Sequence, residues 1–196
     1  MANPWSVEQM APVVGLPLSN FQYPPNLLPL KRSIQSLMED QLAGILEDVM
    51  DAQGDGDRYS DDLLPKEYRL ATFRQFEQVQ VWPTLTITGG ELRTVNRAET
   101  RGRSQQPGSL IRWSGVIYLD MFHQDGDQDW LAQMLDYYGA AMWLVLLKND
   151  PIHDPSDDNP RFDIDYESSE IEVSEPGGVN MTDRAVEVRT RIEFWS

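Results

Sequence analysis

Hydrophobic residues along this chain change their spacing in a fixed order: helical, then alternating, then helical again, then alternating to the end. From Ser33, the residues Ile34, Leu37, Met38, Leu42, Ile45, Leu46, Val49 and Met50 recur at helical spacing, with Glu39, Asp40, Glu47 and Asp48 on the other face. This predicts an amphipathic helix, ended by Gly54 and Gly56 and followed by an acidic loop from Asp51 to Asp62. Val79, Val81, Leu85 and Ile87 then alternate with Gln78, Gln80, Thr84 and Thr86, and Pro83 implies a bulge or an edge position. Leu110 to Phe122 predicts the next strand, with Ile111, Trp113, Ile117, Leu119 and Met121 on one face and Arg112, Ser114, Tyr118 and Asp120 on the other.

A second helix is signalled by Asp127 or Asp129 as N-cap, followed by Trp130, Leu131, Met134, Leu135, Tyr138, Met142, Val145 and Leu146. Its apolar side broadens after Gly139, which predicts a C-terminal half buried on several sides. Asn149, Asp150 and Pro151 stop it. Phe162, Ile164 and Tyr166 alternate with Asp163, Asp165 and Glu167, and Ile171 and Val173 extend the strand. After a turn at Pro176, Gly177 and Gly178, Val186, Val188, Thr190, Ile192 and Phe194 face one way, with Glu187, Arg189, Arg191 and Glu193 facing the other. One apolar and one charged sheet face predicts an α+β layer, mainly antiparallel, with both principal helices on one side in α-β-β-α-β-β order.

Two segments interrupt this order. Six of the thirteen prolines fall in residues 1–30, while Trp5, Phe21, Tyr23 and several Val and Leu residues make that stretch too apolar for a solvated linker. It reads as an extended arm, lying on its own domain or on a neighbouring subunit, ahead of a single domain over 31–196. The polar stretch 89–109 reads as a long loop carrying Arg93, Arg97, Arg101 and Arg103, a quarter of the 16 basic residues. Loops of that length are usually functional or disordered.

The formal charge of −16, from 16 basic and 32 acidic residues, opposes general binding to nucleic acid. The arginine loop therefore suits acidic protein surfaces better than DNA, and Arg189 and Arg191 on the last strand are further candidates for contacts between subunits. No cysteine is present, which removes disulfides, thiolate zinc sites and thiol nucleophiles. The longest apolar run, Ala140 to Leu147, falls far short of the roughly 18 residues that span a bilayer, and the N-terminus lacks the basic start of a secretory signal. A soluble, intracellular chain is expected.

Asp51 to Asp62 overlays a calcium loop, with Asp51, Asp55, Asp57 and Asp62 as oxygen donors and Gly56 at the sharp turn. Gln53, Arg58 and the short Asp62 depart from that pattern, and a solvated acidic loop explains the same residues. His123 with Asp125, Asp127 and Asp129, and His153 among Asp150, Asp154, Asp157 and Asp158, read as a strand end with helix caps and as a turn. No phosphate loop, nucleophile elbow, dinucleotide fingerprint or zinc-protease helix is present, so an enzyme is not expected.

The layout resembles the tail terminator, or tail completion, proteins of tailed bacteriophages. The resembling parts are the helix from Ser33 to Met50, the two-strand unit from Val79 to Phe122, the helix from Trp130 to Lys148, and the closing strands Arg161–Val173 and Ala185–Trp195. The ending "RAVEVRTRIEFWS" is similar to theirs. The resemblance implies a virion protein assembled in the host cytoplasm: a homo-hexameric ring at the head-proximal end of the tail tube. Its partners would be further copies of itself, the tail tube protein, a neck or connector protein and, in a contractile tail, the sheath protein. DNA would pass through an acidic bore without specific binding, and no cofactor is implied. A neck, tube or baseplate protein of similar layout is the neighbouring alternative, and a small calcium-binding interaction module is the alternative of a different class.

Overall fold

Pro29 sits inside the first turn of the first helix, α1, which spans Leu28–Gln53. The helix thus begins five residues before the predicted Ser33, and the arm boundary at residue 30 moves back. Proline is tolerated there because first-turn N–H groups have no intrahelical acceptor. Ser33 Oγ donates to the Pro29 carbonyl at 3.2 Å, and Leu27 and Leu30 are already buried in the core. The computed structural model describes residues 27–71, 81–94, 112–153, 161–174 and 183–195.

α1 ends where Gly54 adopts a left-handed φ of 87° and the Asp55 N–H closes on the Met50 carbonyl at 2.9 Å. Two short 3-10 turns, Gly56–Arg58 and Asp61–Leu63, lead into β1 (Glu67–Ala71), a strand the alternation did not predict. β1 runs parallel to β2 (Thr84–Thr94). β3 (Arg112–Gln124) leads to the second helix, α2 (Gln128–Lys148), and then to a two-residue β4 (Ile152–His153), β5 (Arg161–Ser174) and β6 (Asp183–Trp195). The six strands lie in the order β1-β2-β3-β6-β5-β4, with every pairing but the first antiparallel. The fold is α+β.

The helix-facing side of the sheet is set by register. Leu85 pairs with Met121, Ile87 with Leu119, and Leu119 and Met121 with Val188 and Val186. Those six side chains are fully buried in one core with Ile34, Met38, Leu42 and Leu46 of α1 and Met134, Tyr138, Met142 and Val145 of α2. Gly139 allows α2 to lie close: a Cβ there would stand 2.9 Å from Ile171 Cγ2 and 3.1 Å from Val186 Cγ2.

Three boundaries differ from the alternation. β2 starts after Pro83, whose carbonyl accepts from the Lys66 N–H at 2.9 Å, and it continues through Gly89 and Gly90 to Thr94. Residues 89–94, including Arg93, therefore belong to a strand and not to the loop, with a register shift between Gly89 and Leu92. The remainder of the predicted loop lies outside the described residues. In β5 the register jumps between Asp165 and Glu170. Four residues there oppose one on β6, so the core-facing parity switches from Phe162 and Ile164 to Ile171. That bulge is the reason an even-numbered and an odd-numbered apolar series occur in one strand.

The reverse face of the sheet is not the solvated charged face that the alternation implied. Thr84, Thr86, Thr88, Ser114 and Asp120 are all buried there, together with Phe122. A short hydroxyl side chain can be enclosed there by bonding close to its own backbone, although Thr88 Oγ1 is buried without a hydrogen-bond partner. Thr84 Oγ1 donates to the Val81 carbonyl, and the Trp82 ring meets Phe122 edge-on with centroids 6.5 Å apart.

Candidate subunit interface

α2 begins where the Asp127 carboxylate accepts the N–H groups of Asp129 and Trp130, both at 3.1 Å, which selects Asp127 as the cap. From Ala140 to Leu147 its sequence is apolar at every position, and a helix turning about 100° per residue cannot point eight side chains at one core. Ala141, Met142, Val145 and Leu146 go inward. Leu144 and Leu147 remain 42% and 41% exposed, with Trp143 half-buried between them and the sheet. The predicted burial on several sides is therefore not met within the chain.

β5 extends this surface. Trp143 meets Tyr166 edge-on at 5.5 Å between centroids, and Ile171, beside Gly139, is 49% exposed. Among the described residues, four of the five exposed large hydrophobic side chains lie on this α2 and β5 flank, the other being Val81. Scattered surface apolar residues are ordinary, whereas a contiguous strip marks a contact surface. Its rim is acidic, with exposed Asp136 and Glu167. Asp150 braces the strand behind it, accepting from the Ile164 N–H at 3.2 Å.

The acidic loop after α1 is docked onto the other end of α2. Asp55 Oδ2 accepts from Tyr137 Oη at 2.6 Å and from Gln133 Nε2 at 2.5 Å. The Arg58 guanidinium lies 3.4 Å from the centre of the Trp130 ring. Asp62 pairs with Lys66 at 3.5 Å, and a Cβ on Gly56 would overlap the Asp51 carboxylate. Asp51, Asp55, Asp57 and Asp62 do not converge on a common point, and among the described residues no group of three or more His, Asp or Glu side chains is placed to hold a metal ion. At this geometry α2 takes the Asp55 carboxylate, and two 3-10 turns lie within the stretch from Asp51 to Asp62.

His123 ends β3 against the same helix. It is 6% exposed, meets the Tyr138 ring edge-on at 5.6 Å, and has no hydrogen-bond partner on either ring nitrogen. Burial pushes its pKa below the ordinary imidazole value; the Asp125 carboxylate opposes that shift and the Lys66 ammonium adds to it. The folded chain therefore holds His123 neutral where the unfolded chain protonates it. Stability is fully present above about pH 6.5 and falls below it, by at most about 1.4 kcal/mol per pH unit, until the folded value is reached. His123→Phe is expected to reduce the difference in urea-derived stability between pH 7 and pH 5.5. An unchanged difference would show that His123 is not the group being titrated.

Arg189 lies on the reverse face, 3.9 Å from Glu170 and with its guanidinium 5.7 Å from the Tyr118 ring centre. Arg191 pairs in register with Val116 and Asp165. Arg93 stands opposite Ser114 in the β2 and β3 pairing. Trp5, Phe21, Tyr23, Arg97, Arg101 and Arg103 lie outside the described residues. Sequence reading placed no contact on Leu144, Leu147 or Tyr166, although the unbroken apolar run from Ala140 carried the signal.

No protein-family model matches this chain, and no curated protein matches it. Among the described residues, no helix is long and apolar enough to cross a membrane.

Proposed function

We propose that the chain is a ring-forming structural subunit of a bacteriophage tail, of the tail terminator type. In this reading it caps the head-proximal end of the tail tube and joins the tail to the neck, with DNA passing through the bore. The observation that carries the reading is the apolar strip on α2 and β5, a surface built like an interior and left open on a single copy. The layout of two helices on one face of a mainly antiparallel sheet supports it, as does the acidic charge, which does not grip a negative polymer in transit. The docked Asp55 and the Asp62–Lys66 pair argue against the calcium module.

The partners are further copies of the chain, the tail tube protein and a neck or connector protein. The test is the mass of the native assembly, measured alone and with the tail tube protein. A closed ring, six copies by the resemblance, is expected. A chain that stays single under both conditions overturns the reading.

A further inference from the structure

We infer that the strip on α2 and β5 is covered by the N-terminal arm, residues 1–26, of the adjacent copy. This inference rests on the reading of the chain as a ring subunit and names the contact that closes the ring. Three observations select this occupant.

Charge comes first. In a chain of net charge −16, two copies pressed strip to strip would bring the acidic rims at Asp136 and Glu167 face to face. Residues 1–26 carry one charged side chain, Glu8, among Trp5, Val13, Val14, Leu16, Leu18, Phe21 and Tyr23. That segment can lie between the acidic rims at little electrostatic cost.

Symmetry is the second. A strip that meets its own copy is self-complementary and closes at two subunits, whereas a segment meeting a different surface on the next copy propagates head to tail and can close a ring. Reach is the third. The described chain starts at Leu27, buried on the β2 side of the sheet, where a Cβ on Gly89 would stand 2.9 Å from Leu27 Cδ1. A domain of this size is about 40 Å across. Twenty-six extended residues span up to about 85 Å, enough to cross to a neighbour and still lay several residues along α2.

The chain contains no cysteine, so introduced pairs report without background. A tagged Leu16→Cys chain and an untagged Leu147→Cys chain are mixed, oxidised and resolved by mass, with Val14→Cys and Leu18→Cys as alternative registers, alongside native mass measurement. Disulfides between arm and helix of different copies are expected to dominate at one register. Leu147-to-Leu147 disulfides, or closure within one chain when both cysteines are on it, overturn the inference. An assembly that retains its ring mass but gives no arm-to-helix disulfide also overturns it while leaving the ring reading standing. A single-copy mass throughout overturns both.

Discussion

A chain carrying Leu144→Glu and Leu147→Glu is expected to stay folded and to lose its assembly. Both side chains stand about two-fifths exposed on the solvent side of α2, so neither supports the core. Glutamate is nearly as good a helix former as leucine, and its unfavourable position near the helix C-terminus costs about 0.3–1 kcal/mol each. At an interface the balance is different. A carboxylate forced under an apolar segment without a partner costs about 2–5 kcal/mol, so two are expected to weaken association more than 100-fold. Sedimentation at matched concentration reads the effect, and circular dichroism checks the fold. Association that survives the double substitution would remove the strip from the interface.

The largest effect on stability is expected at Tyr138. Its ring is fully buried between the two helices and the sheet, edge-on to His123, and its hydroxyl donates to the Leu63 carbonyl. Burial raises its pKa well above the ordinary phenol value, so it remains a neutral donor at any working pH. Tyr138→Ala removes ring and hydroxyl together and is expected to cost about 3–5 kcal/mol. Tyr138→Phe keeps the ring and strands the Leu63 carbonyl, costing about 1–3 kcal/mol. Urea unfolding of both separates packing from the hydrogen bond; a loss for Tyr138→Ala no greater than for Tyr138→Phe would contradict the packing role. Leu63 closes the second 3-10 turn before β1, so this one residue ties the acidic loop to the core.

Both helices were legible because each carries a one-sided apolar repeat long enough to outweigh local exceptions. Pro29 misled at the first helix start because proline excludes itself from helix interiors and not from first turns. β1 was hidden because Glu67–Ala71 has no clean alternation; all five of its residues are half-buried, in a strand with a single neighbour. The last strands were legible from Val186 and Val188, yet the bulge between Asp165 and Glu170 was not. Its trace in the sequence, a shift of apolar residues from even to odd positions, is short.

The acidic loop shows where local pattern and assembled structure part. Its spacing of aspartates and glycines matches a metal loop, but no local rule reveals that Tyr137 and Gln133, some eighty positions away, take the Asp55 carboxylate. The buried reverse face follows the same logic. Thr84, Thr86, Thr88 and Ser114 look solvated in sequence because their hydroxyls are polar, and only tertiary packing shows them enclosed.

By itself, the sequence determined the α+β class, the two helices and an acidic, cysteine-free chain, since period and charge are local or additive properties, and it narrowed the cap of α2 to Asp127 or Asp129. Only the tertiary structure decided which side of the Ala140–Leu147 run stays open. That run is apolar all round, so its composition holds no direction, and burial was assigned by what packed against it. α1 and the sheet covered the inner sides, and Leu144 and Leu147 were left facing outward.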